Sequence, residues 1–190
     1  MKIVFIRHGQ GEHTLNAPDS LRIIDPWLTH KGIDQSIRLN DRFPVTVDDM
    51  IVISPTRRTI QTALHWDSER KSQFLIHHAV GPRMFPLLPA SRALPCDTPL
   101  PKEDIRSQFT HIPIIESEFT TWNIGINAIQ ESLFHQVADE FMNWCRALNK
   151  QTIYVVSHDG TITSYRQYFG ESSVTRNDFL GETGFYQMTF

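Results

Sequence analysis

Apolar residues along this chain fall into short unbroken runs and longer spaced patterns. Ile3–Ile6, Met50–Ile53 and Ile153–Val156 are continuous apolar runs, and Phe74–Ile76 is a weaker fourth. Runs of this length without polar alternation predict strands covered on both faces, as in a parallel sheet. Between them lie helical patterns. In LTHKGIDQSIRLNDRF, Ile33 and Ile37 are four apart, as are Leu39 and Phe43, and Thr29 is placed to cap the start. From 129 to 148 the apolar residues Ile129, Leu133, Val137, Phe141, Trp144, Cys145 and Leu148 step by three or four, which predicts a long amphipathic helix. A further helix is expected after Gly160, and the terminal GFYQMTF is expected to add an edge strand. Strands alternating with helices predict an α/β fold: a three-layer α/β/α sandwich around a mainly parallel, mixed central sheet. The 190 residues suit one domain, 1–190.

One stretch breaks the pattern. Seven of the eleven prolines fall between Pro82 and Pro113, so the region from about 81 to 125 is expected to be mostly irregular. A long loop inside a compact domain is usually functional, so a lid or substrate wall is favoured over a neutral surface excursion.

Charge narrows the chemistry. A formal net charge of −3 offers no basic footprint for a nucleic-acid backbone, so any anion site must be local. No stretch has the length of a membrane span. The four-residue apolar run before Arg7 is too short for a secretory signal, and two distant cysteines, Cys96 and Cys145, make no disulfide framework. A cytoplasmic setting with both thiols buried is expected.

The polar residues that follow the apolar runs point to one ligand. The first run leads into Arg7 and His8, the second into SPTRRTIQTA (54–63), and the last into SHDG (157–160). In open α/β sheets, ligands bind beyond the carboxyl ends of strands. Ser54 and Pro55 read as the cap and first residue of a helix, which puts Arg57 and Arg58 in its first turn. Cations there oppose the helix dipole unless an anion sits above them. Arg58 is expected to face that anion and Arg57 to face solvent. Arginine matches phosphoryl oxygens bidentately, and an imidazole at His8 can serve as nucleophile. A lone histidine is usually structural, but that reading would have to hold for His8 and His158 together. His8 with His13, and His77 with His78, show no established metal-ligand spacing, so neither metal nor cofactor is expected.

These motifs resemble the histidine phosphatase superfamily, with its phosphoglycerate-mutase-like fold. RHG after the first strand, SPxxRxxQTA after the second and VSHDG after a late strand match that family in order. DPWLTHKGIDQS (25–36) is similar to its DPxLTxxGxxQ stretch, and LPCDT (94–98) to a PCDTG element of some members. The resemblance implies that His8 becomes phosphorylated while Arg7, Arg58 and His158 bind the phosphoryl group. Flanking arginines would hold His8 neutral by lowering its pKa from ~6.5. The implied activity is hydrolysis of a small phosphate monoester. The alternatives are a phosphoglycerate-type mutase, for which the chain is short, and a weakened phospho-ligand-binding protein.

The chain departs from the family pattern in three places. Thr14 stands where the family often has Asn. MFPLLPASRALPCDT (84–98) has no carboxylate before Asp97, where a glutamate proton donor is usual. Asp159 directly follows the second histidine, as in the acid-phosphatase branch, where such an aspartate donates the proton. Asp159 is therefore the expected donor, with a helix cap as its other role; Asp97 and Glu12 are weaker candidates. Gln10, Thr14 and Arg83 are the expected substrate contacts, Arg83 toward a second anionic group. Substrate identity and oligomeric state have no signal in the sequence.

Overall fold

The computed structural model describes residues 1–190. Its strands are β1 Lys2–Arg7, β2 Met50–Ile53, β3 Gln73–His77, β4 Ile114–Ile115, β5 Thr152–Ser157 and β6 Phe185–Thr189. Its helices are α1 His30–Arg42, α2 Arg57–Trp66, α3 Lys102–Gln108, α4 Glu131–Ala147 and α5 Asp159–Tyr168. The strands form one sheet in the order β4-β3-β2-β5-β1-β6. All neighbours are parallel except β6, which runs antiparallel to β1 at the edge.

Alternation along β1 explains the layering. Ile3 and Phe5 face a core built with Phe134, Phe141 and Tyr165 from α4 and α5. Val4 and Ile6 face a second core with Leu39, Ile60 and Trp66 from α1 and α2. Both faces of the strand are therefore buried, as its unbroken apolar run predicts. Thr29 caps α1 by accepting from the Gly32 N–H. No helix is long and apolar enough to cross a membrane.

The sheet order decides where chemistry collects. β5 lies between β1 and β2, with Arg7 opposite Ser157 and Ile53 opposite Val156. The residues leaving these three strands, 8, 54 and 158, therefore emerge side by side although they lie far apart in the chain.

Two expectations change. Helix α2 begins at Arg57, with Thr56 at its N-cap position, two residues beyond the expected Ser54 cap. The reason is that the Ser54 N–H still donates to Val156 O at 3.0 Å, extending the ladder past β2. The proline-rich region also carries more order than its composition suggests. It contains α3, and β4 pairs in parallel with β3 through Ile76–Ile114 and His77–Ile115.

Candidate active site

His8 follows β1 without a break, because its N–H donates to Ser157 O at 3.0 Å and so prolongs the β1–β5 ladder. Its ring is buried. Nδ1 lies 2.7 Å from Gly9 O, and Nε2 accepts from Arg58 Nε at 3.2 Å. These partners fix a neutral imidazole with its proton on Nδ1 and its lone pair on Nε2. Burial pushes the His8 pKa well below its ordinary value, and the charges of Arg58 and Arg7 add to this. Gly9 is required by crowding, since a Cβ there would stand 2.4 Å from Gly32 O.

His158 sits at the N-cap position of α5. Its Nδ1 accepts from Arg58 Nη2 at 3.0 Å, leaving Nε2–H to donate to Ser54 Oγ at 2.7 Å. Its pKa is also pushed well down, by burial first and then by Arg58. The His8 and His158 ring centroids are 5.2 Å apart. The structure thus brings both histidines to one place, joined by a single guanidinium.

That guanidinium, Arg58, is only 1% exposed. Besides the two imidazoles it donates to Cys96 O at 2.7 Å and to Asp97 Oδ1 at 3.0 Å. Burial pulls its pKa down and Asp97 opposes the shift. Arg7 makes a parallel arrangement: Nη2 is 2.9 Å from Asp159 Oδ2 and Nη1 donates to Leu180 O. Each crevice arginine therefore holds one carboxylate. Asp97 is raised above the usual carboxylate range, chiefly by burial; Arg58 opposes this, and repulsion from Asp159 reinforces it. Asp159 is the first residue of α5, and its Oδ1 accepts from the Gly160 N–H at 2.7 Å. It meets the helix start and Arg7 at once.

The other expected contacts divide. Thr14 borders the crevice, and its hydroxyl donates to Gly11 O. Gln10 turns to the start of α1, where its Oε1 accepts from Thr29 Oγ1 at 2.9 Å. Glu12 holds the Trp27 N–H at 3.0 Å and does not face the crevice. Arg83 lines the crevice, as expected of a substrate contact, but its side chain is buried, donates to Ile126 O and Ile129 O, pairs with Glu131 and lies 4.2 Å from the Phe134 ring centroid, with Nε left unpartnered. Arg57 is not a free solvent cation either. It pairs with Asp25, donates to Gln108 and covers the Trp27 ring at 4.7 Å.

His13 was not singled out for the site by sequence reasoning, yet it belongs there. A short 3-10 turn, Glu12–Thr14, folds it back so that its ring centroid lies 5.4 Å from that of His8. Burial and the two arginines push its pKa down to about 3. The five-residue spacing from His8 was visible, but the turn that gives it meaning was not. Arg92 and Arg176 at the crevice rim were likewise missed. A crevice of about 440 Å³ is lined by Arg7, His13, Asp97 and Asp159, and the buried His8 and Arg58 lie against His13 and Asp97 of that lining. A larger hollow of about 810 Å³, between Thr98–Glu103 and Glu116–Asn123, contains none of these groups.

Comparisons with known proteins bear on the fold and on residues 3–80. Residues 3–80 match the family described as histidine phosphatase superfamily (branch 1). No curated protein matches the chain in sequence. Among solved structures, the ecdysone phosphate phosphatase from Bombix mori, in complex with tungstate, is 11% identical, with a TM-score of 0.67 over 100% of this chain and 89% of its own. The alpha-ribazole phosphatase from Shigella flexneri is 18% identical, with a TM-score of 0.64 over 100% and 91%. A mutant phosphoserine phosphatase from Entamoeba histolytica, in complex with phosphoserine, is 18% identical, with a TM-score of 0.61 over 100% and 90%. The match to the histidine phosphatase superfamily model is thus confined to residues 3–80, while the fold is shared along the whole chain with these solved phosphatases.

Proposed function

We propose that this chain hydrolyses phosphate monoesters through a phosphohistidine on His8. The observation that carries the reading is the arrangement around Arg58. One buried guanidinium touches His8 Nε2 and His158 Nδ1 at 3.2 and 3.0 Å, so a phosphoryl group gripped there would meet a neutral, aligned nucleophile. In the first step Arg58 Nε–H turns from His8 Nε2 to a phosphoryl oxygen, and the freed Nε2 lone pair attacks phosphorus as the bond to the ester oxygen breaks. The Gly9 carbonyl, on Nδ1–H, stabilises the cation that forms on the ring. Charge on the phosphoryl oxygens is met by Arg7, Arg58 and His158.

The departing alkoxide needs a proton. Asp159 is the proposed donor, and Asp97 is the second carboxylate of the crevice, facing it from Arg58. The charge of Asp159 is one of the causes that raise the Asp97 pKa, after burial. A dianionic phosphoryl group on the arginines weakens both ion pairs, which favours a proton on the carboxylates just when one is required. In the second step water attacks the phosphohistidine and gives its proton to the same carboxylate. The P–N bond breaks and neutral His8 returns.

The three similar phosphatases named above act on chemically unlike alcohols, so their names support monoester hydrolysis but no particular substrate. The test is a rapid-quench experiment with labelled p-nitrophenyl phosphate. The expected result is phosphate release together with an acid-labile, base-stable label on the peptide containing His8. Release without that label overturns the covalent route. Isomerisation of 3-phosphoglycerate with a bisphosphate primer and no phosphate release would make the protein a mutase.

A further inference from the structure

Resting on the phosphatase reading, we propose a substrate class. The monoester carries an apolar, ring-sized body next to its phosphorylated oxygen and a second anionic group beyond it. The crevice of about 440 Å³ lies within the range of sites that enclose a small molecule, about 300–1,000 Å³, and exceeds what a phosphoryl group needs. Its walls above the histidines come from Leu21, Met84, Phe85, Leu88, Leu94 and Phe179. Phe85 and Phe179 approach each other with ring centroids 6.1 Å apart.

The polar inventory of the walls argues against a sugar-like or amino-acid-like alcohol. Thr14 is the single hydroxyl among the lining side chains, with no Asn, Gln, Ser or Tyr, and its proton is already given to Gly11 O. Along the stretch walled by Met84, Phe85, Leu88, Leu94 and Phe179 a polyhydroxylated body would lose water and find few partners, the polar lining being charged groups such as Asp97, Asp159, Arg92 and Arg176, whereas an apolar body fits that stretch.

Charge defines the far end. The anion-binding capacity of Arg7 and Arg58 is used at the floor, and Arg83 is engaged by Glu131. Arg92 and Arg176 also line the crevice, are exposed at its mouth, and have neither an ion-pair nor a hydrogen-bond partner in the protein. Arg176 lies 5.5 Å from the Phe179 ring centroid, holding a cation beside the apolar wall. Two unpaired guanidiniums beyond an apolar passage complement a carboxylate or a second phosphate at the end of a hydrophobic body.

Non-hydrolysable phosphonates read this without requiring turnover. Calorimetry compares naphthylethylphosphonate, the same compound with a carboxylate on its far ring, and dihydroxybutylphosphonate. The naphthyl compound is expected to bind about tenfold more tightly than the diol. The carboxylate is expected to add about fivefold, and in the Arg92→Ala/Arg176→Ala double variant the carboxylated-to-plain ratio should fall to one. Equal or reversed ranking of naphthyl and diol overturns the apolar body. An unchanged carboxylate ratio in the double variant overturns the anionic end. Turnover of p-nitrophenyl phosphate by the same preparations is a separate readout: its absence overturns the phosphatase reading, while the phosphonate ranking still decides the substrate class.

Discussion

The floor and the wall of the crevice are built on opposite terms. On the floor, His8, Arg58 and His158 are buried, and each ring nitrogen or guanidinium nitrogen has a named partner. The wall, from 84 to 97 and 176 to 179, is mostly exposed, sets Phe85, Leu88, Leu94 and Phe179 toward the crevice and includes two unpaired cations. Sheet geometry dictates the floor, because parallel neighbours β1, β5 and β2 must deliver their next residues together. Nothing in the ladder dictates the wall, whose path is set by turns and prolines. On the proposed function, catalysis would rest on strand ends that the ladder fixes and substrate choice on loops that it does not.

The sharpest way to break that comparison is to disturb the floor. His8→Ala is expected to lower kcat/KM on p-nitrophenyl phosphate by at least about 10⁴-fold, since no other lone pair is aligned. Arg58→Lys keeps the charge but replaces a fork with a point, losing the simultaneous contacts to His8, His158, Asp97 and Cys96 O. A loss of about 10³-fold is expected, with the fold checked by circular dichroism. If Arg58→Lys retains near-full activity, the floor's geometry is not what drives the reaction.

The carboxylates sit where floor and wall meet, and their effects should be intermediate. Asp159→Asn is expected to cost about 10²–10³-fold on an alkyl phosphate but only severalfold on p-nitrophenyl phosphate, whose leaving group departs unprotonated. Asp97→Asn should slow both esters to a similar, smaller degree if its main task is to hold Arg58. A reversal of the two patterns moves the proton donor to Asp97.

The division also explains what the sequence disclosed. β1, β2 and β5 were legible because burial on both faces writes an unbroken apolar run, and the adjoining RHG, SPTRR and SHDG inherit their positions from those strands. Edge strand β6 is only partly buried and has no unbroken apolar run, so it left a weaker pattern, and two-residue β4 is too short to leave one. The Ser54 cap was misplaced because the same Ser-Pro pair reads as a helix start or as a strand prolonged by one ladder bond. Arg83 looked like a site residue by proximity, but its fate depended on Glu131 and two carbonyls far along the chain. His13 went unused because its role comes from a three-residue turn that periodicity does not encode.

The last expected effect concerns the two ion pairs of the floor. Arg58 and Arg7 hold Asp97 and Asp159, so an incoming dianion must compete with carboxylates. Protonating a carboxylate removes the competitor. Asp97 has its pKa raised, chiefly by burial, so it takes up a proton at a higher pH than an ordinary aspartate and becomes neutral as the solution is acidified. Dianion binding should therefore be linked to proton uptake by Asp97, and tungstate affinity should rise as pH falls into the acid range where that carboxylate takes up its proton. The sign is opposed by nothing on the histidines, since His8 and His158 are held neutral by burial and titrate only at lower pH. Asp97→Asn should flatten the slope while tightening tungstate binding at pH 8. Affinity that is independent of pH in the wild type, or a slope that survives Asp97→Asn and Asp159→Asn together, would mean that the carboxylates do not guard the floor.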